Sequence, residues 1–185
     1  MTYVKTTWEN LPSEVTPINA SNLNNIEDGV ENNDSLIAKQ TVTSAVASVL
    51  FTGLDINADG GVYDIVVQGA QNTSSNGFEM FVNGDAVSTN YNSSFSLGSA
   101  VQTLQNNGLI GFMEIDKALN IITLSLNDDV ASASQEGQRT ALGDMMQCAW
   151  TKIAAVSNIT TIEVMMTGAR TFNVGTVVKI YKRGQ

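Results

Sequence analysis

Histidine is absent from this chain, cysteine occurs once, proline twice, and nine basic residues face eighteen acidic ones. Without histidine there is no Ser-His-Asp triad, no Cys-His pair and no histidine metal site, which removes most hydrolase designs. The single Cys148 cannot close an internal disulfide; it reads as a small core hydrophobe and suits a reducing compartment. A net charge of −9 repels phosphate backbones, and the few cations are too scattered to form a stripe, so nucleic acid is not an expected partner. No apolar run approaches the roughly 18 residues of a membrane span. The opening Met1-Thr-Tyr-Val-Lys-Thr-Thr-Trp8 lacks the apolar stretch of a signal peptide, and assembly in a cytoplasm is expected.

What is present is 43% hydrophobic and only 15% charged, a globular composition whose polar part is dominated by Asn, Ser, Thr and Gly. At 185 residues the chain has room for one packed domain and an appendage. Residues 1 to 20 show neither a period of 2 nor of 3.6, and read as an extended arm with apolar anchors at Tyr3, Trp8, Leu11, Pro17 and Ile18. Such an arm cannot cover its own apolar groups, so docking into a partner is expected.

Residues 21 to 45 predict a helix. Ser21 is an N-cap type residue, Glu27, Asp28 and Glu31 load the early turns with negative charge, and Lys39 sits near the far end. Leu23, Ile26, Val30, Asn33, Ile37 and Gln40 recur at the 3-4 spacing of a heptad seam. A helix carrying Gly29, at about 1 kcal/mol relative to Ala, is marginal alone. Leu followed by Ile along the seam favours more than two strands, with Asn33 and Gln40 fixing register, and a homotrimeric coiled coil is the expectation. An amphipathic helix lying on its own domain is the competing reading.

From residue 46 to 185 short apolar or alternating runs are broken by turn residues, which predicts a mainly β head domain, a jelly-roll-like antiparallel β-sandwich. The candidate strands are Ala47 to Phe51, Val62 to Gln68, Phe78 to Asn83, Leu109 to Ile115, Asn120 to Leu126, Met145 to Val156, Thr161 to Thr167 and Thr176 to Lys182. Turns are expected at Asp59-Gly60-Gly61, Asn76-Gly77, Asn83-Gly84, Asn107-Gly108 and Asn127-Asp128-Asp129, where Asn, Asp and Gly tolerate positive φ. Residues 71 to 77 and 88 to 99 read as long polar loops.

Catalysis is not expected. Glu114 with Asp116, or Asp128 with Asp129, are conceivable carboxylate pairs for glycoside cleavage, yet among eighteen acids such a pair is unavoidable. Asp55, Asn57 and Asp59 match the first half of a calcium loop, but Val66 stands at the twelfth position where a bidentate glutamate belongs, so a tight turn is the better explanation. No cofactor is implied. Aromatic platforms with neutral hydrogen-bonding groups suit sugars, and Asn83, Asp85, Asn90, Tyr91 and Trp150 are the candidates, joined more weakly by Tyr63 and Asn92.

The segment Trp8-Glu-Asn-Leu-Pro-Ser-Glu-Val-Thr-Pro17-Ile-Asn-Ala-Ser-Asn-Leu23-Asn-Asn-Ile26-Glu-Asp-Gly29-Val30 resembles the opening of fibre and receptor-binding proteins of phages infecting Gram-positive hosts. Thr52 to Ile65, Phe81-Val-Asn83-Gly-Asp85 and the ending Phe172-Asn-Val-Gly175-Thr-Val-Val-Lys-Ile-Tyr181 look like the head of such proteins, with Thr176 where serine is common. The resemblance implies an N-terminal anchor to capsid or tail proteins, a trimeric coil, and a virion head that attaches to host cell-surface polysaccharide. The shortness of the chain and its lack of a long shaft leave a capsid head fibre or decoration protein with no receptor role as an alternative. A glycan-degrading enzyme is a more distant one.

Overall fold

The structure is a computed structural model, and it describes residues 35–69, 76–97, 100–101, 108–113, 119–139, 144–168 and 170–183. Among these the chain forms twelve strands and one 3-10 turn at Ser88–Asn90. The strands are β1 (Ser35–Thr41), β2 (Ser48–Thr52), β3 (Val62–Gln68), β4 (Asn76–Val82), β5 (Tyr91–Leu97), β6 (Ala100–Val101), β7 (Leu109–Met113), β8 (Leu119–Asn127), β9 (Val130–Arg139), β10 (Asp144–Lys152), β11 (Thr161–Met166) and β12 (Val177–Lys182).

The protein is mainly β, built from two antiparallel sheets. One has the order β1-β12-β3-β8-β9-β10-β5-β6, the other β2-β11-β4-β7. The chain crosses between them repeatedly: β2, β4, β7 and β11 belong to the small sheet, and each is flanked in sequence by strands of the large one. Alternation explains why these segments became strands. In β3 Tyr63, Ile65 and Val67 are buried while Asp64 and Val66 keep water contact, and β11 repeats this with Ile162, Val164 and Met166 inward. These side chains join Val49 and Phe51 of β2, Met80 and Val82 of β4, Ile122 and Leu124 of β8, and Val178 and Ile180 of β12 in one core shared by both sheets.

Turn chemistry places the connections. Asp128 and Asp129, at φ 48° and 63°, make a two-residue turn whose flanking residues Asn127 and Val130 are register partners of the β8-β9 hairpin. After β4, Asn83 (φ 55°) and Gly84 (φ 71°) turn the chain with Asp85 N–H donating to the Val82 carbonyl. Gly60 and Gly61, both at positive φ, close the turn before β3.

Several expectations are corrected. Residues 35–41 are not the end of a helix but strand β1, paired along its length with β12, so Ile37 and Gln40 are strand residues and the first described strand opens at Ser35. The reason is tertiary: β12 carries Val178 and Ile180 inward and gains a backbone partner from β1, while Ile37 and Ala38, at a bulge, pack against the core. The Gln40 amide then donates to the Leu50 carbonyl, tying β1 to β2. Leu23, Ile26, Val30 and Asn33, like the arm residues Tyr3, Trp8, Leu11, Pro17 and Ile18, lie outside the described residues. The polar stretch 88–99 contains β5, whose alternation is disguised by serines, and β9 was unmarked because its inward residues are Ala131, Ala133 and Gln135. Gly77, expected in a turn, lies within β4, where a Cβ would stand 2.7 Å from Leu109 Cδ1. The strand expected through Val156 ends at Lys152. No helix among the described residues is long and apolar enough to cross a membrane.

Candidate functional site

The polar and aromatic residues singled out for ligand contact do come together, at the end of the molecule where β4 leaves the small sheet and β5 enters the large one. Asp85 follows the Asn83-Gly84 turn, Asn90 ends the 3-10 turn, Tyr91 opens β5, and Trp150 and Lys152 lie on β10, which pairs with β5 through Trp150 with Ser93 and Lys152 with Tyr91. Period 2 puts Cys148, Trp150 and Lys152 on one inward face, so the strand ends by carrying an ammonium into the interior.

Lys152, only 8% exposed, is neutralised by an ion pair with the Asp85 carboxylate. The Asn90 amide donates to both Asp85 oxygens at 2.9 and 3.0 Å, and the Val87 N–H donates to Oδ1 at 3.3 Å. The Lys152 hydrogen bond, helped by those of Asn90 and Val87, holds the Asp85 carboxyl below its ordinary range against the opposing effect of desolvation. Lys152 Nζ also lies 4.7 Å from the centroid of the Tyr91 ring, within reach of its negative face.

Tyr91 is the hub. Its hydroxyl donates to the Asp85 carbonyl at 2.7 Å and accepts from the Val82 N–H at 3.2 Å, while its ring stacks on Trp150 at 5.0 Å and meets Phe81 edge-on at 5.5 Å. Burial pushes its phenol above the ordinary value.

This arrangement corrects the expectation of a sugar platform. Tyr91 is 0% and Trp150 1% exposed, so neither ring presents a face to a ligand; both are used in closing this end of the core. The Trp150 Nε1 donates to no described residue, which makes the indole a packing element. Asn83 is also engaged: its Nδ2 donates to the Asn158 carbonyl at 2.7 Å, and its Oδ1 accepts from Thr160 N–H at 2.8 Å. Tyr63 is wholly buried and donates to Asp59 at 2.7 Å. Asn92, half-buried on β5, stays clear of these bonds among the described residues. Lys152, the residue that organises the cluster, carried a signal in its inward phase after Cys148 and Trp150.

The Asp55-Asn57-Asp59 segment is a turn held by its own side chains. Asp55 Oδ1 accepts from Ala58 N–H at 3.1 Å and from Asn158 Nδ2 at 3.0 Å, whereas Asn57 Nδ2 points away to the Ser157 carbonyl at 2.8 Å. Asp59 Oδ2 receives the Tyr63 hydroxyl. Asp55 Oδ1 and Asp59 Oδ2 thus serve the turn and the Tyr63 hydroxyl, and the Asn57 amide is turned to Ser157. Among the described residues no three His, Cys, Asp or Glu side chains are grouped to hold a metal ion. Asp128 and Asp129 are exposed turn residues at positive φ; Glu114 and Asp116 lie outside the described residues.

No protein-family model matches the chain, and a search of curated proteins finds no match.

Proposed function

We propose that the chain is a structural subunit of a phage particle, a homotrimeric fibre or spike whose N-terminal arm anchors it and whose β domain projects outward. The observation that carries the reading is the order of the strands. The sheets β1-β12-β3-β8 and β2-β11-β4-β7, with the chain alternating between them and β9, β10, β5 and β6 extending the first, support a jelly-roll head of the kind expected of such proteins. In sequence it comes after the segment 8 to 30 that resembles fibre anchors. The fold by itself does not specify a function; the particle rests on the sequence resemblance, and the strand order supports the head.

Of the two roles open to such a head, the burial of Tyr91 and Trp150 favours a shell or head-fibre role over glycan binding, because the platforms for sugar are inside the core. The test is a C-terminal label on intact particles together with deletion of residues 35–183. Labels distributed around the capsid and unchanged adsorption to host cells fit the head-fibre role; loss of adsorption identifies a receptor-binding head. A chain absent from purified particles overturns the proposal.

A further inference from the structure

The two ends of the β domain differ. At one end four connections, residues 53–61, 83–90, 127–130 and 153–160, are bonded into a single platform. Ile153 N–H donates to the Asn90 carbonyl at 2.9 Å, Val156 N–H to the Asp129 carbonyl at 2.8 Å and Leu126 N–H to the Gly61 carbonyl at 3.0 Å, while the Asn57 and Asn83 amides reach the Ser157 and Asn158 carbonyls. Loops held in this way lose little freedom when a partner arrives. The platform also exposes apolar side chains: Ile153 is 56%, Val87 54% and Val130 48% exposed. Ser132 lies opposite Thr151, and the same β9-β10 register carried two residues further brings Val130 beside Ile153. Val87 joins them through Asn90, whose N–H donates to the Val87 carbonyl. Charge here is one-sided. The four connections contain five aspartates and no lysine or arginine; Asp85 is paired with Lys152, whereas Asp55, Asp128 and Asp129 are exposed. On the β12 side of this end Lys182 is half-buried and Arg183 is paired with Asp64. At the opposite end, connections 42–47 and 170–176 have Arg170 as their charged residue.

Chain direction sets which way this end points. Residues 1–34 join the domain at Ser35, the register partner of Lys182, which in turn pairs with Tyr63 just past the 53–61 connection. The preceding chain is therefore attached at the platform end. We propose that the platform docks on the particle protein that carries the chain, and that the matching surface presents lysine or arginine around an apolar centre. This rests on the particle reading above and adds the surface of contact and its chemistry. Val87, Val130 and Ile153 form the apolar centre, and a polar rim around such a centre is the usual anatomy of a protein contact. Asp55, Asp128 and Asp129 select a basic rim on the partner by charge complementarity. Covalent attachment through the N-terminal segment raises the local concentration of the platform at the particle to the order of millimolar, so three side chains need not hold the contact unaided. The end bearing Arg170 and Val174 then faces away from the particle.

The test uses the full chain, free and on intact particles. Ile153→Cys and Val174→Cys each place a thiol at an exposed position, one at either end, and the native Cys148 is buried. Maleimide labelling is followed by mass. On the free chain both variants should label fully, which also shows that the copies do not cover these positions among themselves. On particles Ile153→Cys should label about tenfold more slowly, as expected when the local concentration exceeds Kd about tenfold, while Val174→Cys keeps its free rate. Adding Asp128→Asn and Asp129→Asn to Ile153→Cys removes two charges at positive-φ positions that asparagine accepts, and the protection should shrink by about threefold or more. Equal rates for Ile153→Cys on particles and on the free chain, or protection of Val174→Cys in its place, overturn the docking surface. Protection that survives both asparagines overturns the basic partner. A chain absent from purified particles overturns the particle reading itself.

Discussion

Replacing Asp85 by Asn tests how the β4-β5 end of the core is held. The exchange keeps size and shape and leaves an acceptor for the Val87 N–H, but it strands the Lys152 ammonium, whose side chain is 7% exposed, without a counter-charge. Removing one partner of a buried pair costs about 3–5 kcal/mol. Because the Asp85 side chain is 26% exposed, water reaches the site, and the Tyr91 ring at 4.7 Å remains, so we place the loss at about 2–4 kcal/mol. With a urea slope of about 2 kcal/mol/M the unfolding midpoint should fall by roughly 1–2 M.

Lys152→Met removes the charge and keeps the stem that packs beside Tyr91. Asp85 then retains Asn90, Val87 and water, and the cost should stay under about 1.5 kcal/mol. In the Lys152→Met background Asp85→Asn should be nearly silent. The pH dependence has a fixed sign. The folded Asp85 carboxyl sits below its ordinary value, near 3.9 when unfolded. Its contribution is therefore present above about pH 4 and lost as pH falls through the depressed folded value, so wild type and Asp85→Asn should converge on acidification. Equal midpoints for wild type and Asp85→Asn at pH 7, or a Lys152→Met variant less stable than Asp85→Asn, refute the reasoning.

Other consequences are simpler to check. Gly69→Ala puts a Cβ 2.7 Å from the Thr176 Cα, and overpacking of about 1–3 kcal/mol should lower Tm by several degrees in a thermal scan, whereas an unchanged Tm would mean the two segments part freely. Asn83 combines φ 55° with side-chain bonds to Asn158 and Thr160, so stability should rank Asn83 above Asn83→Gly above Asn83→Ala, with the last about 2–3 kcal/mol down; Gly and Ala behaving alike would remove the backbone part of the argument. Burial pushes the Cys148 thiol up to about 12, so it should ignore a disulfide reagent at pH 8 and react fully in denaturant. Burial first, and the hydrogen bond to Asp59 second, push the Tyr63 phenol far above its ordinary value. Its stabilising contribution is complete below about pH 10 and declines above it, and the spectral difference between wild type and Tyr63→Phe should lack a phenolate step until the protein unfolds.

The amino-acid sequence by itself determined the strands whose own alternation is strong. Val62–Gln68 was read with both ends correct, Thr161–Met166 and Val177–Lys182 within one residue, and the Asn127-Asp128-Asp129 turn was marked by residues that accept positive φ. Local preference suffices there because burial on one face and turn geometry agree. Tertiary structure decided the rest. Residues 35–41 carry a helical spacing, yet β12 needed a backbone partner and took them as a strand. β9 turns Ala131, Ala133 and Gln135 inward, and only the neighbouring strands β8 and β10 supply the reason for its extended form. Tyr91 and Trp150 had the composition of a sugar platform, but exposure is a property of what packs above a ring, and no single strand contains that information. The same holds for Asp85 and Lys152, 67 residues apart: each reads alone as an ordinary charge, and their pairing exists only because β5 and β10 lie side by side.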